Sequence, residues 1–418
     1  MKEKFDLRTL EGSKRIFRIS VAAVILFSFF AYMLACNWGR VKISELNIDS
    51  RGSVMQATMY TPTNTNSESN IPCVIFTHGL SCNHSTVNPF AEELAKRGFA
   101  VLSVSTYGSG ESETSDMSDP SFGMYDALQY VRTLNYVDQT RIGMIGHSQG
   151  SKNTSAAVDM DSSLYTLNDL KINILYDTFA QKFTAEEIQQ PADDLAAARL
   201  DANELSAYKV LAAQAEQYFT TRMKAAVILG GNWGSEAQEV TVGGITVTRE
   251  ANTNMCYMIS TFNEGRAGTG QQNLAKEEMM AKFQSAEPLT AATWYSLDQT
   301  SNVQTPASTK LGGLEDVSYT TDAALAGAID NRTTRIIVNQ VGGHAKDYFS
   351  KDALHYIAKY FEQTLQYNCG NITDSATVPM SEHSSTFMIR ETLDLLAMFA
   401  LFVSIIALAG TVSYTHLT

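Results

Sequence analysis

The sequence has few cysteines, only five in 418 residues. None belongs to a Cys-x-x-Cys pair, and Cys73, Cys82, Cys256 and Cys369 lie far apart along the chain. This number and spacing exclude a disulfide framework and a zinc site built on paired cysteines. One disulfide bridge between two of these cysteines is compatible with the sequence, but nothing in the sequence requires it.

Charge is also scarce, and basic charge most of all. Charged residues make up 18% of the chain, against roughly 25% in an average soluble domain. The 31 basic residues are outnumbered by 44 acidic ones, which gives a net charge of −13. A nucleic-acid-binding protein normally presents a basic face, so no nucleic-acid partner is expected. The length of 418 residues favours one large α/β domain with additional segments. The composition, with 44% apolar residues and little charge, excludes a disordered chain and indicates that part of the chain lies in lipid.

The first long uncharged run is Ile19–Cys36, which has 18 residues. A helix of this length can cross a hydrocarbon core of about 30 Å. Six basic residues precede the run, and only Arg40 and Lys42 follow soon after it. The positive-inside rule therefore predicts that residues 1–18 are cytoplasmic, that 19–38 is a transmembrane helix, and that the following domain is extracytoplasmic.

Two alternatives to this retained anchor stay open. The charge order also suits a cleaved signal peptide, although a small-residue cleavage site is not obvious. Met33-Leu34-Ala35-Cys36 resembles a bacterial lipobox, in which Cys36 would be lipidated and the upstream part removed.

A second uncharged run, Leu395–Val412, is again 18 residues long. We expect a linker at 367–394 and a second transmembrane helix at 395–412, which would begin a longer membrane region that is cut short. The alternative is a buried helix of the soluble domain.

Between these runs, residues 41–366 alternate short apolar stretches with amphipathic ones. Residues 41–62 predict a β-hairpin that turns at Arg51-Gly52. The remaining pattern predicts strands at 73–77, 99–105, 141–145, 225–229, 256–261 and 335–340, and helices at 90–96, 122–134 and 352–365. Alternating strands and helices favour an α/β fold with a mainly parallel sheet, whose ligand sites lie at the carboxyl ends of the strands.

Two further segments interrupt this alternation. Residues 161–222 are acidic and rich in Ala and Gln, and we expect a helical insertion that lies over the strand ends as a cap. Residues 238–249 predict a small hairpin that turns on Gly243-Gly244.

The most informative motif is Gly146-His147-Ser148-Gln149-Gly150, a G-x-S-x-G directly after a predicted buried strand. In such a turn the serine adopts a strained conformation, and its neighbours must be glycine to avoid clashes. Ser148 is therefore the expected nucleophile.

The oxyanion hole should lie beside this serine. His78-Gly79-Leu80 ends the predicted strand 73–77, and glycine allows that loop to approach closely. We expect the backbone N–H groups of Leu80 and Gln149 to stabilise the oxyanion. For the His78 side chain we expect a structural role.

The general base must follow the nucleophile in this arrangement. The later histidines are His344, His355, His383 and His416. His344 is the expected base because it follows a predicted strand in the loop Val341-Gly342-Gly343, whereas the others lie in a helix or near the second hydrophobic run.

The acid of the triad should end the preceding strand. Glu264 follows the predicted strand 256–261 and is the first choice, while Asp316 and Asp322 remain alternatives.

Together the motifs HGL at 78–80, YGSGES at 107–112, GHSQG at 146–150 and GGH at 342–344 resemble the α/β-hydrolase superfamily over residues 41–366. The resemblance is to bacterial membrane-anchored serine hydrolases of the dienelactone-hydrolase-like and prolyl-oligopeptidase-like kinds. It implies an α/β-hydrolase fold with terminal transmembrane helices. The sequence departs from that family at Asn263, where related enzymes commonly have Asp.

We therefore expect a membrane-anchored, extracytoplasmic serine hydrolase that cleaves ester bonds without a metal or organic cofactor. Its expected partners are a small-molecule or lipid-like acyl substrate and the lipid bilayer. Peptide hydrolysis is the second choice of reaction, and acyl transfer to an acceptor other than water is the third. A different class of function is also open, because Asn263 suits a catalytically inactive hydrolase fold that serves as a binding or sensor module.

Overall fold

The structure is a computed structural model. It describes residues 5–114, 118–231, 234, 237–262, 270–299, 307–366 and 385–416. The strands within these residues are β1 (Val41–Ser50), β2 (Ser53–Pro62), β3 (Ile71–Thr77), β4 (Ala100–Val104), β5 (Val137–His147), β6 (Ala225–Leu229), β7 (Gln238–Val242), β8 (Ile245–Arg249), β9 (Asn254–Phe262), β10 (Thr293–Ser296), β11 (Thr309–Gly313) and β12 (Thr334–Gly343). The helices are α1 (Leu10–Ala35), α2 (Asn88–Lys96), α3 (Met124–Arg132), α4 (Gln149–Asp161), α5 (Leu167–Phe179), α6 (Ala192–Arg199), α7 (Ala202–Thr220), α8 (Gly270–Asn273), α9 (Glu277–Lys282), α10 (Ala323–Asp330), α11 (Lys351–Thr364) and α12 (Phe387–His416).

A ten-stranded sheet forms the centre of the molecule, in the order β1-β2-β4-β3-β5-β6-β9-β12-β10-β11. The six strands from β4 to β12 in this order run parallel, and antiparallel strands flank them on both sides. Strands β3, β4 and β6 are buried at every position, because helices cover both faces of the sheet. The predicted mainly parallel sheet is confirmed.

The two faces have separate hydrophobic cores. On one face, α2 and α11 pack on β3 through side chains that include Phe90, Phe361 and Phe76. On the other face, α3 and α4 contribute side chains such as Leu128 and Val158. The hairpin predicted at 41–62 is present, with Ser50 opposite Ser53 at its turn. Strands β10 and β11, at one end of the sheet, were not predicted, since both are short and β11 contains two glycines.

The insertion at 161–222 does not cover the carboxyl ends of the strands, and the expected position of this cap is wrong. Arg332, which directly precedes β12, donates to the carbonyl oxygens of Thr220 and Arg222 at 2.7 and 2.6 Å. Asp161 accepts from Arg132, at the end of α3, at 2.7 Å. These contacts all lie at the amino ends of the parallel strands. The reason is that α4 starts at the carboxyl ends of the parallel strands. Its 13 residues carry the chain about 20 Å, to the amino ends of the same strands.

The insertion has its own small core, which it shares with the hairpin β7–β8. The hairpin turns at Gly243-Gly244, as the sequence predicts, and both glycines have a positive φ. A buried ion pair between Asp169 and Arg249, at 2.8 Å, fixes the hairpin to α5.

Helices α1 and α12 pack against each other at the ends of the chain. Gly410 of α12 lies against Ser13 of α1, where a Cβ would come within 2.8 Å of the serine Oγ. Both helices are long and apolar enough to cross a membrane, with mean hydropathies of 2.0 and 2.5 over their most apolar stretches. Phe399, Phe402 and Ile406 of α12 are more than half exposed, which does not fit the alternative of a buried helix in a soluble domain.

The start of α12 is joined to the central sheet through α2. The rings of Phe387 and Phe90 meet edge to face at 6.0 Å. Beside them, Glu93 accepts a hydrogen bond from the backbone N–H of Thr386 at 3.0 Å. Through these contacts α12 is attached to α2, which packs against β4 and β2.

Candidate active site

Ser148 occupies a strained turn between β5 and α4. Its backbone angles are φ 54° and ψ −116°, a conformation that residues other than glycine rarely adopt. A Cβ on Gly146 would overlap the carbonyl group of Gly150, and one on Gly150 would overlap the carbonyl oxygen of His78. The two glycines of the motif are therefore required by close contacts, as the sequence analysis expects.

The surroundings of Ser148 suit a nucleophile. Its backbone N–H donates to the carbonyl oxygen of Leu229, at the end of β6, at 2.8 Å. The side chain is partly exposed and stands at the N-terminus of α4, where the helix dipole favours negative charge.

His344 is brought to the same edge of the sheet. It follows β12 and begins a 3₁₀ helix, His344–Phe349. Its ring lies 4.6 Å from the ring of His147, the residue before the serine. A Cβ on Gly230, which directly follows β6, would come within 2.8 Å of His344 Cε1. Ser148 and His344 thus flank the same strand end, although they are far apart in sequence.

The three acids considered from the sequence have different positions. Glu264, like Asn263, lies outside the described residues. Asp322 caps α10, where it accepts from the N–H of Leu325 at 2.8 Å. Asp316 lies in the turn that follows β11, with its carboxylate against Gly313. The contacts of Asp316 and Asp322 are thus at the sheet edge near β11 and α10.

Among the described residues, the carboxylate beside His344 is that of Asp347, which the sequence analysis did not consider. Its Oδ2 lies 3.9 Å from His344 Nδ1 and 3.2 Å from His147 Nε2. Its Oδ1 accepts from Ser260 Oγ and from Gln340 Nε2. The side chain is fully buried. The spacing of three residues after His344 in a tight helical turn is a signal that could have identified it, because such residues share one face.

The loop after β3 closes on the nucleophile. A Cβ on Gly79 would lie 3.2 Å from the Cβ of Ser148. The N–H of Gly79 donates to the hydroxyl of Tyr348 at 2.7 Å, and burial raises the pKa of that hydroxyl. In the part of the chain that the structure describes, the N–H groups of Leu80 and Gln149 have no hydrogen-bond acceptor. Both are therefore available to a bound ligand.

His78 is held by the backbone. Thr106 N–H donates to its Nε2 at 3.3 Å, so the proton lies on Nδ1, which donates to the carbonyl oxygen of Gly79 at 2.8 Å. Burial lowers the pKa of this histidine. The contacts agree with the structural role expected for it.

One set of side chains could also hold a metal ion. The ligand atoms of His147, His344 and Asp347 lie within 4.8 Å of one another. Two histidines and one carboxylate are common ligands of transition metals. In the described structure His147 Nε2 is hydrogen-bonded to Asp347 Oδ2 at 3.2 Å, whereas His344 Nδ1 lies 3.9 Å from the same oxygen.

An apolar rim surrounds the site. Four large hydrophobic side chains at the carboxyl edge are exposed: Leu80 by 77%, Phe262 by 64%, Val341 by 66% and Phe349 by 46%. Phe262 lies on the same face of β9 as Ser260, because side chains two residues apart in a strand point the same way. A cavity of about 630 Å³ lies elsewhere, between the insertion and β10, and is lined by residues such as Asn168, Arg249 and Leu311.

Comparison with known proteins agrees with this architecture. A family model described as the alpha/beta hydrolase fold matches residues 72–200. The protein has the α/β-hydrolase fold, and the superfamily resemblance predicted from its sequence is confirmed.

The individual relatives are distant. The uncharacterized protein YcjY of Escherichia coli (strain K12) is 26% identical over 140 residues, which are 32% of this chain and 46% of that protein. The chain therefore spans less than half of this relative. Among solved structures, an esterase from Pyrobaculum calidifontis is 11% identical, with 87% of this chain and 94% of the esterase covered and a TM-score of 0.37. The carboxylesterase EstE1, cloned from a metagenomic library, is 21% identical over 29% of this chain and 41% of its own, with a TM-score of 0.25. A shared fold does not carry an activity from one protein to another.

Proposed function

We propose that the protein is a membrane-anchored serine hydrolase that cleaves ester bonds. The observation that supports this most is the strained turn at Ser148, with the loop at Gly79 and the ring of His344 beside it. A turn of this kind exposes a nucleophilic oxygen at the carboxyl edge of the sheet.

The proposed reaction has two stages. Ser148 Oγ attacks the acyl carbonyl while His344 accepts the serine proton, and the N–H groups of Leu80 and Gln149 stabilise the oxyanion. His344 then protonates the leaving alcohol. Water, activated by the same imidazole, attacks the acyl-enzyme and releases the acid. From the sequence, Glu264 is the expected carboxylate partner of His344.

The apolar rim favours substrates with an apolar acyl group. Leu80, Phe262, Val341 and Phe349 present hydrophobic surface to water at the mouth of the site. Burying one methylene group of a substrate on such a surface contributes about 0.8 kcal/mol. We therefore expect kcat/KM to rise with acyl length from acetyl to octanoyl esters.

The test is a panel of p-nitrophenyl esters of increasing acyl length, beside aminoacyl and peptidyl p-nitroanilides, with the full chain in detergent. Turnover of the esters that Ser148→Ala abolishes would support the proposal. Faster turnover of the anilides would instead favour a peptidase. Folded protein that turns over neither series would favour a binding or sensor module.

We further propose that the catalytic domain lies outside the cytoplasm, since basic residues cluster before the first apolar helix. Glu68 lies in an exposed loop of that domain, so Glu68→Cys offers a reporter. A membrane-impermeant maleimide should label this variant in intact cells. Labelling only after the cells are permeabilised would reverse the orientation.

A further inference from the structure

We propose that Asp347 is the carboxylate that orients His344 and stabilises its protonated form, in place of the expected Glu264. This inference rests on the proposed function and assigns one role within it. Asp347 is a positioning residue, because it acts through His344 and does not reach the substrate.

In this proposal the two ring nitrogens of His344 have different roles: Nδ1 interacts with Asp347, and Nε2 accepts the serine proton. The Nδ1 atom faces Asp347 Oδ2 at 3.9 Å. The proposed mechanism uses the other nitrogen, Nε2, as the acceptor of the serine proton. The separation of 3.9 Å is longer than a hydrogen bond, and such contacts commonly shorten when a substrate complex forms.

The carboxylate is held rigidly for this task. Ser260 Oγ and Gln340 Nε2 both donate to Oδ1, so Oδ2 is the oxygen left to face the two histidines. These donors come from the ends of the adjacent parallel strands β9 and β12. Asp347 is therefore fixed by the sheet itself.

His147 joins the carboxylate to the backbone of the base. Its Nε2 lies 3.2 Å from Asp347 Oδ2 and 3.1 Å from the carbonyl oxygen of His344. Both partners are acceptors, so Nε2 carries a proton and donates to them. One imidazole thus holds both the carboxylate and the loop that presents His344.

The charges around Asp347 favour a transient cation. Among the described residues, its ion-pair partners are His147 and His344, with no lysine or arginine within ion-pair distance. When Ser148 gives its proton to His344, the imidazolium becomes the positive partner of a buried carboxylate.

The test compares Asp347→Asn with Glu264→Gln and with Asp352→Asn, in the full chain in detergent. Asp352 is an exposed aspartate in the first turn of α11 and serves as a matched control.

We expect Asp347→Asn to lower kcat by about 10²–10⁴ and to change KM little, whereas Asp352→Asn has little effect. Because the imidazolium loses its negative partner, the acid limb of kcat/KM should move to lower pH by about one unit or more. Asp347→Glu, which keeps the charge, should recover part of the activity.

A loss of kcat in Glu264→Gln with near-normal turnover in Asp347→Asn would overturn the proposal. A slow Asp347→Asn enzyme whose acid limb does not move would also overturn it, because that result indicates a merely structural role. Loss of activity in Ser148→Ala tests the proposed function separately from this assignment.

A milder pair of variants covers the case in which Asp347→Asn does not fold. Ser260→Ala removes one donor to Asp347, whereas the neighbouring Thr261 donates instead to the backbone of Gln340 at 2.9 Å. We expect Ser260→Ala to lower kcat by about 3–10-fold with KM unchanged, and Thr261→Val to stay within about twofold of the wild type. Equal kcat values in the two variants would contradict the role of Asp347.

Discussion

Two buried carboxylates in this molecule have different partners. At the junction of α2 and α12, Glu93 contacts Lys96 at 2.9 Å and Arg97 at 3.3 Å, and all three side chains are buried. At the carboxyl edge of the sheet, Asp347 contacts neutral donors and two histidines. Glu93 is therefore balanced by permanent positive charge, while Asp347 gains a positive partner only when a histidine is protonated.

This difference separates a structural cluster from the proposed catalytic one. Lysine and arginine keep their charge across the physiological range, so the Glu93 cluster fixes a joint between the terminal helices and the catalytic domain. Histidine changes charge between about pH 5 and 8, so the Asp347 cluster can take part in proton transfer. Mutations in the two clusters should therefore separate loss of catalysis from loss of stability.

The largest effect on catalysis should come from the base. His344→Gln should lower kcat by about 10⁴, because the serine proton then has no acceptor. His355, which pairs with Glu315 at 2.7 Å in another part of the domain, provides the control, and His355→Gln should stay within about twofold. Ester hydrolysis under single-turnover conditions measures both. Similar rates for the two variants would exclude His344 as the base.

The largest effect on stability should come from Glu93→Ala, in the cluster that joins α12 to α2. Glu93→Ala leaves Lys96 and Arg97 buried without their carboxylate, and breaking a buried pair costs about 3–5 kcal/mol. Thermal unfolding in detergent should show a clearly lower Tm, with kcat unchanged at temperatures where the variant is folded. Glu68→Ala, in an exposed loop, should change the Tm little. A lower kcat at an unaltered Tm would mean that the joint has a catalytic role.

Glu92 should give the joint a pH dependence. Burial raises its pKa from 4.5 to about 7, against the attraction of Arg390. Between these two values the folded state binds more protons than the unfolded state. The stability contribution of protonated Glu92 is therefore complete below about pH 4.5 and is lost as the pH rises through 7.

Glu92→Gln, which stays neutral, should not show this loss. Between pH 5 and pH 8 its free energy of unfolding should increase relative to the wild type by on the order of 2–3 kcal/mol. Denaturation in detergent at several pH values measures the difference. Parallel pH profiles for the two proteins would mean that Glu92 is already ionised in the folded state at pH 5.

A smaller effect on catalysis than that of His344→Gln should come from Gly230, a glycine that the sequence analysis did not single out. Gly230 has φ +72°, and a Cβ there would come within 2.8 Å of His344 and 3.0 Å of Asp347. Gly230→Ala should therefore displace the base and lower kcat by about 10–100-fold. Gly327 of α10 has open space around its Cβ position, so Gly327→Ala should keep the wild-type rate. Full activity in Gly230→Ala would show that the base tolerates this displacement.

The sequence was most informative where one local rule decides the structure. Apolar runs such as 225–229 predicted buried strands, and the glycines around Ser148 predicted a tight turn before α4. The position of the insertion could not be predicted from its composition. It depends on whether α4 ends at the amino ends or at the carboxyl ends of the parallel strands. The spacing from His344 could have indicated Asp347, but the contacts that hold its carboxylate could not be predicted, for a similar reason. Its partners Ser260 and Gln340 are distant in sequence and meet only because β9 and β12 are adjacent.

The most direct test of the account is covalent labelling with a fluorophosphonate, followed by peptide mass spectrometry. The account predicts one label per chain, located on Ser148, with a labelling rate that falls strongly in His344→Gln and stays normal in His355→Gln. Folded wild-type protein that takes up no label, or that carries it on another residue, would contradict the assignment of Ser148 as the nucleophile.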